Sequence, residues 1–272
     1  MSTLTLPGTT VGTGAAAPRP FALARHSTAL AHRGLLKIRR TPEALIDVTL
    51  QPVIFLTVFV YVFGGAIAGG DRHAYLQYLL PGVLAQTIAF GSAAIGANLN
   101  TDIEKGVFDR FRSLPIPRAA PLVGAVLADV VRYAVVAVVT VGFGSAIGFR
   151  FGGSAPAAVA GCLLAIAFAL CLSWVSVTIG MLVRSSGAVQ GITLLVMFPL
   201  SFGSSVFTDP ATLPGWLQGF VRVNPLTQLV DTMRALFGGT PVGAHLGWTL
   251  LSMAVLLVVF VPLALAAYRR KA

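Results

Sequence analysis

The side chains able to do chemistry are few: nine Asp and Glu, nineteen Lys and Arg, four His and two Cys in 272 residues. The lysines are Lys37, Lys105 and Lys271, and none closes a G-x-x-x-x-G-K-[ST] phosphate loop. His26, His32, His73 and His245 are scattered, so no metal-ligand spacing arises. Cys162 and Cys171 stand nine apart in one apolar stretch, on different helical turns, and read as small packing residues. No Ser-His-Asp set and no pair of carboxylates points to a shared pocket. The chain is therefore not expected to be an enzyme, nor to hold a metal or cofactor of its own.

Two constellations remain. Asp129 and Arg132 are spaced i, i+3 on one helix face inside a long apolar run. Counted from residue 119, Asp129 is about ten residues in, or ~15 Å along a helix axis. Ionisable groups at such depth pair with one another or mark a pathway, so the two form an internal ion pair, line a pathway or meet another subunit. A stand-alone ion-coupled transporter would need several buried acids, and the apolar runs offer essentially Asp129.

The second constellation is the connector "NTDIEKGVFDRFRSLPIPRAAPLV", which holds three acids and four bases in a chain only 10% charged. Asp102 to Arg112 suit a helix apart from Gly106. Ile103, Val107 and Phe111 would share one stripe and Glu104, Phe108 and Arg112 another, before "SLPIPR" ends the helix. An ordinary charged turn has no need of Phe108, Phe111 and Leu114. The pattern predicts a stiff amphipathic lever at the end of two membrane spans.

The elements that position these residues follow from composition. With 56% hydrophobic residues and a mean hydropathy of +0.85, the chain cannot cover a soluble surface with charge. Six windows are long enough for a ~30 Å hydrocarbon core: 47–68, 76–98, 119–147, 156–182, 188–207 and 244–267. The expected fold is all-α and polytopic, since spanning helices satisfy their own backbone; the alternating ~10-residue segments of a membrane barrel are not seen. Fourteen of the nineteen Lys and Arg fall on one side, which places both termini and the connector in the cytoplasm of an inner-membrane protein. The net charge of +10 then reflects topology and attraction to anionic lipid. It gives no reason to expect a nucleic-acid partner, since no basic stretch is interleaved with aromatics.

Residues 1–21 read as a disordered tail without a signal peptide. "ALARHSTALAHRGLLKIRRTPEAL" follows, an amphipathic helix expected to lie in the cytoplasmic interface. Between the last two spans, residues 208–243 contain "LPGWLQGFVRV" and "PLTQLVDTMRALF", each too short to cross. They predict two half-inserted or interfacial helices on the outer side. No second soluble domain is seen, so 22–272 forms one transmembrane unit.

On these residues the chain resembles the permease subunits of type-2 ABC exporters, in particular the daunorubicin-resistance-like branch. The resemblance rests on the six-span layout, the amphipathic lead helix, the pattern E-x-G-x-x-x-R-x-x-x-L-P-x-x-R and an "NPLT" segment before the last span. The pattern falls on Glu104, Gly106, Arg110, Leu114, Pro115 and Arg118, with Arg112 inside it. "NPLT" is Asn224, Pro225, Leu226 and Thr227. The resemblance implies that loop 100–118 docks on a separate ATPase subunit, which supplies ATP and Mg. It also implies that a second permease copy or paralogue completes the transporter, and that the cargo is a hydrophobic or amphipathic drug, antibiotic or lipid. The competing readings are the ion-coupled transporter using Asp129 and Arg132, and a membrane scaffold subunit.

Overall fold

The computed structural model describes residues 42–67, 71–106 and 120–271, and among these the regular structure is entirely helical. Helix α1 (Pro42–Val58) continues as a π-helical segment, Phe59–Phe63, and a short α2 (Gly64–Ile67). Then follow α3 (Arg72–Gly91), α4 (Ala93–Glu104), α5 (Ala120–Ala146), α6 (Ala155–Leu182) and α7 (Ser186–Phe202). After a 3-10 turn at Pro210–Thr212 come α8 (Gly215–Val223), α9 (Pro225–Gly238) and α10 (His245–Lys271).

Local chemistry starts several of these helices. The Asp71 carboxylate accepts from the Ala74 N–H at 2.9 Å, and the Ser154 and Ser185 hydroxyls accept from Ala157 and Ala188. Each satisfies a backbone donor that the first turn leaves free. Pro156 and Pro225 fall in the opening turn of α6 and α9, where a missing N–H costs nothing.

Among the described residues, four helical stretches are long and apolar enough to cross a membrane: Arg72–Glu104, Leu122–Ala146, Ala155–Leu182 and His245–Arg270. Thr49–Phe63 and Ser186–Phe202 are apolar but shorter. The chain is thus a multi-pass membrane protein. α6 is the hub, packed by α3, α4, α5, α7, α9 and α10. One core cluster gathers Leu79, Leu80, Val83 and Leu84 of α3 with Phe168, Met197, Leu229 and Met233. A second joins Leu99, Leu122, Val177, Met181 and Ala264 at the end of the bundle where α4 finishes, here the loop end. The opposite end carries α8 and α9.

Three expectations need correction. The fifth window, 188–207, overshoots: α7 stops at Phe202, with Pro199 inside it and Gly203 as its cap, and residues 203–207 meet α3, where the Tyr78 and Tyr75 hydroxyls donate to the Ser205 and Phe207 carbonyls. The second window, 76–98, is too short, because α3 and α4 run nearly continuously over 33 residues. The lever does not run unbroken from Asp102 to Arg112, since α4 ends at Glu104 and Gly106 sits at φ +68°. That left-handed conformation suits glycine just past a helix C-terminus. The lead helix around 22–41 and residues 107–119, with Arg110, Arg112, Leu114, Pro115 and Arg118, lie outside the described residues.

Candidate functional site

At mid-bundle, Arg132 Nη2 donates to Asp129 Oδ2 at 2.9 Å and to the Gly91 carbonyl at 2.6 Å. Gly91 is the last residue of α3, so its carbonyl lacks an intrahelical donor. The two charged side chains are 13% and 14% exposed. The guanidinium lies 5.5 Å from the centre of the Tyr133 ring, whose hydroxyl meets Ser173 Oγ on α6 at 3.3 Å. Arg132 Nε has no hydrogen-bond partner among the described residues. The pair is therefore internal, and it clasps α5 to the end of α3, where the single residue Ser92 separates α3 from α4.

Below that break, α4 is joined to α6. Asn100, 1% exposed, donates from Nδ2 to the carbonyls of Gly180 at 2.9 Å and Val183 at 2.8 Å. These lie at the end of α6, where carbonyls run out of donors from a following helical turn. Four residues earlier, Gly96 crosses Gly180: a Cβ on Gly180 would lie 2.5 Å from the Gly96 oxygen, and one on Gly96 would collide with the Ser176 carbonyl. Glycine at both positions lets the backbones touch. α4 then ends with the exposed Glu104, and the Gly106 N–H donates to the Ile103 carbonyl at 3.0 Å. Glu104 and Gly106 thus open the connector from a helix fixed to α6.

The α9 end is locked by the "NPLT" residues. Asn224 donates from Nδ2 to the carbonyls of Leu200 at 2.8 Å and Gly203 at 2.6 Å, while its Oδ1 accepts from the Leu226 N–H. Thr227 Oγ1 accepts from the Ser205 N–H at 3.2 Å, and Leu226 is fully enclosed. Pro225 begins α9. Together they hold the end of α7 and the returning turn against α9.

Sequence reasoning missed Asn100, Tyr78, Ser205, Asp231 and Arg234. Arg234 counts by charge pattern as an ordinary loop cation on the side opposite the connector, yet its side chain is only 16% exposed. Its Nη1 donates to Asp231 Oδ1 at 2.9 Å, its Nη2 to the Ser205 carbonyl at 2.6 Å and its Nε to the Tyr78 carbonyl at 3.1 Å. The guanidinium also stacks 3.5 Å from the Tyr78 ring centre. Burial pulls this arginine below its ordinary pKa, and Tyr78 and Asp231 pull it back up. One signal was available: Asp231-Thr-Met-Arg234 repeats the D-x-x-R spacing of Asp129-Val-Val-Arg132. Asn100 left no comparable trace, because its partners are backbone carbonyls 80 and 83 residues away.

A multi-pass bundle, helical throughout its described residues and braced internally by arginines on helix carbonyls, defines an integral membrane protein. The chain belongs to the ABC-2 type transporter family, which matches residues 26–237. It is 40% identical over 258 residues to the daunorubicin resistance ABC transporter permease protein DrrB1 of Streptomyces coeruleorubidus, covering 94% of this chain and 91% of that one. It is 32% identical over 196 residues to the doxorubicin resistance ABC transporter permease protein DrrB of Mycobacterium tuberculosis, covering 70% and 68%. The probable doxorubicin resistance ABC transporter permease protein DrrC of the same species is 24% identical over 240 residues, covering 88% and 86%. All three relatives are ABC transporter permease proteins by name.

Proposed function

We propose that this chain is the membrane-spanning subunit of an ATP-driven exporter of hydrophobic or amphipathic compounds, with residues 22–272 as one transmembrane domain. Six crossings are made by α1 with its π segment and α2, by α3–α4, α5, α6, α7 and α10. Both termini and loop 100–118 face the cytoplasm, and α8 and α9 form the outer side. The loop, through Glu104, Gly106, Arg110, Arg112, Leu114, Pro115 and Arg118, docks on a separate ATPase subunit that binds ATP and Mg. A second permease, a copy or a paralogue, completes the pathway; the occurrence of DrrB and DrrC relatives in one species supports a pair.

The observation that carries this reading is the α4–α6 joint. The 33-residue α3–α4 stretch measures ~50 Å at 1.5 Å per residue, about 20 Å more than the hydrocarbon core. Its far end is bound by Asn100 to the end of α6 and leads directly into the loop. A push on the loop therefore moves two spans together, as coupling to a partner requires. The use of Arg132 to hold the Gly91 carbonyl argues against an ion-pathway role for Asp129 and Arg132.

Co-expression with the ATPase subunit tests the reading. Glu104→Lys is expected to reduce co-purification, or to uncouple substrate-stimulated ATP hydrolysis from transport in liposomes, with membrane insertion intact. Arg270→Glu, an exposed charge reversal at the same end, serves as the control. Equal behaviour of the two variants would remove Glu104 from the docking surface.

A further inference from the structure

The α9 end carries a groove that the transport reading does not use. α8, α9 and α10 line a half-open cavity of about 490 Å³, a size typical of ligand sites. Gly219 and Val223 of α8 and Trp248, Leu251 and Val255 of α10 form its apolar walls, and Arg222 also lines it. Arg222 is exposed, and its guanidinium has no acceptor among the described residues. The acids of this end are all engaged: Asp71 caps α3, Asp209 caps the 3-10 turn and Asp231 holds Arg234. A positive charge without a counterion among the described residues thus lines an apolar slot. Trp248 is 57% exposed, and an indole ring suits the depth where acyl chains meet headgroups.

We propose that this groove binds one anionic phospholipid, with an acyl chain between α8 and α10 and its phosphodiester on Arg222. A zwitterionic lipid fills the same slot but brings its own ammonium, so charge complementarity selects the anionic class. One arginine near a membrane surface supports a preference of about fivefold, corresponding to ~1 kcal/mol.

The test uses the full chain in phosphatidylcholine nanodiscs, with Trp174→Phe and Trp216→Phe leaving Trp248 as the sole indole. The discs are doped with phosphatidylglycerol or phosphatidylcholine brominated on the acyl chain, and quenching of Trp248 is followed against mole fraction. Brominated phosphatidylglycerol is expected to half-quench at about one fifth the mole fraction needed by phosphatidylcholine, for the reason of charge given above. Arg222→Gln should abolish the preference while leaving quenching, and Arg222→Lys should retain it. Gly219→Leu, at a position with open space for a side chain, should fill the slot and weaken quenching by both lipids. Equal quenching by the two lipids before any groove substitution overturns the proposal. Absence of quenching by either also overturns it, because protein, such as a second copy of the chain, would then cover the groove.

Discussion

Arg132 offers a measurement that separates two roles for a buried ion pair. If it only neutralises Asp129, replacing both residues with apolar ones should restore stability, since such swaps are often neutral. If it also holds the Gly91 carbonyl, as the 2.6 Å contact implies, the double variant should keep a deficit. Arg132→Met strands a carboxylate that is 14% exposed; losing one partner of such a pair costs ~3–5 kcal/mol, with residual exposure favouring the lower end. Asp129→Leu leaves Arg132 its carbonyl, so it should cost less, ~2–3 kcal/mol. Asp129→Leu/Arg132→Met removes both charges but orphans the Gly91 oxygen, leaving a deficit of ~1–2 kcal/mol. Reversible unfolding in mixed micelles, run as a double-mutant cycle, measures all three. A double variant as stable as the unsubstituted protein would refute the clasp. One as unstable as Arg132→Met would refute the pairing.

Arg234→Lys keeps the charge but loses the stack on Tyr78 and the fan of bonds to carbonyls, so thermal unfolding should show a loss of ~2–3 kcal/mol. Gly106→Ala should cost about 1 kcal/mol by the same measurement, because an alanine resists φ +68°. Asn100→Leu should leave the protein inserted but lower the transport obtained per ATP hydrolysed in liposomes; unchanged coupling would show that the α4–α6 joint transmits nothing. In a background lacking Cys162 and Cys171, Gly187→Cys should react with an impermeant thiol reagent only from the cytoplasm, and Ala244→Cys only from outside. The reverse pattern would invert the topology.

The spans were legible where helix signals sit beside apolar runs. The window 156–182, set by apolar length, lands within a residue of α6, whose start carries Ser154 as cap and Pro156 in its first turn. α7 was misjudged because "SFGSSVF" continues the apolar composition after the helix has ended, and hydropathy alone does not register Pro199 and Gly203. Asp71 reads as a plain loop acid, yet its carboxylate caps α3. Counting charge by side assigns Arg234 only to the side opposite the connector and carries no information that its side chain faces inward. Residues that recognise side chains leave spacing patterns such as D-x-x-R. Residues that recognise backbone carbonyls, as Asn100 does, leave none.

The two D-x-x-R pairs have a joint consequence for motion. Arg234 holds α3 at the Tyr78 carbonyl and Arg132 holds it at the Gly91 carbonyl, so about 20 Å of that helix is pinned at both ends. Pro81 lies between and removes one backbone donor from the α3 ladder, so the outside contact near Tyr78 stiffens a turn that would otherwise be weak. Past Ser92 the constraints change owner: α4 is tied by Asn100 and Gly96 to α6 and no longer to α5 through Arg132. A displacement at Glu104 therefore meets a pinned α3, and the compliant point is Ser92. Bending there should carry α4 and the end of α6 as one body while α3 and α9 stay fixed. Spin labels at Glu104 and Arg184 should keep their mutual distance through the ATP cycle, while the distance from Glu104 to a label at Ala244 changes. A constant distance in both pairs would place the moving joint elsewhere.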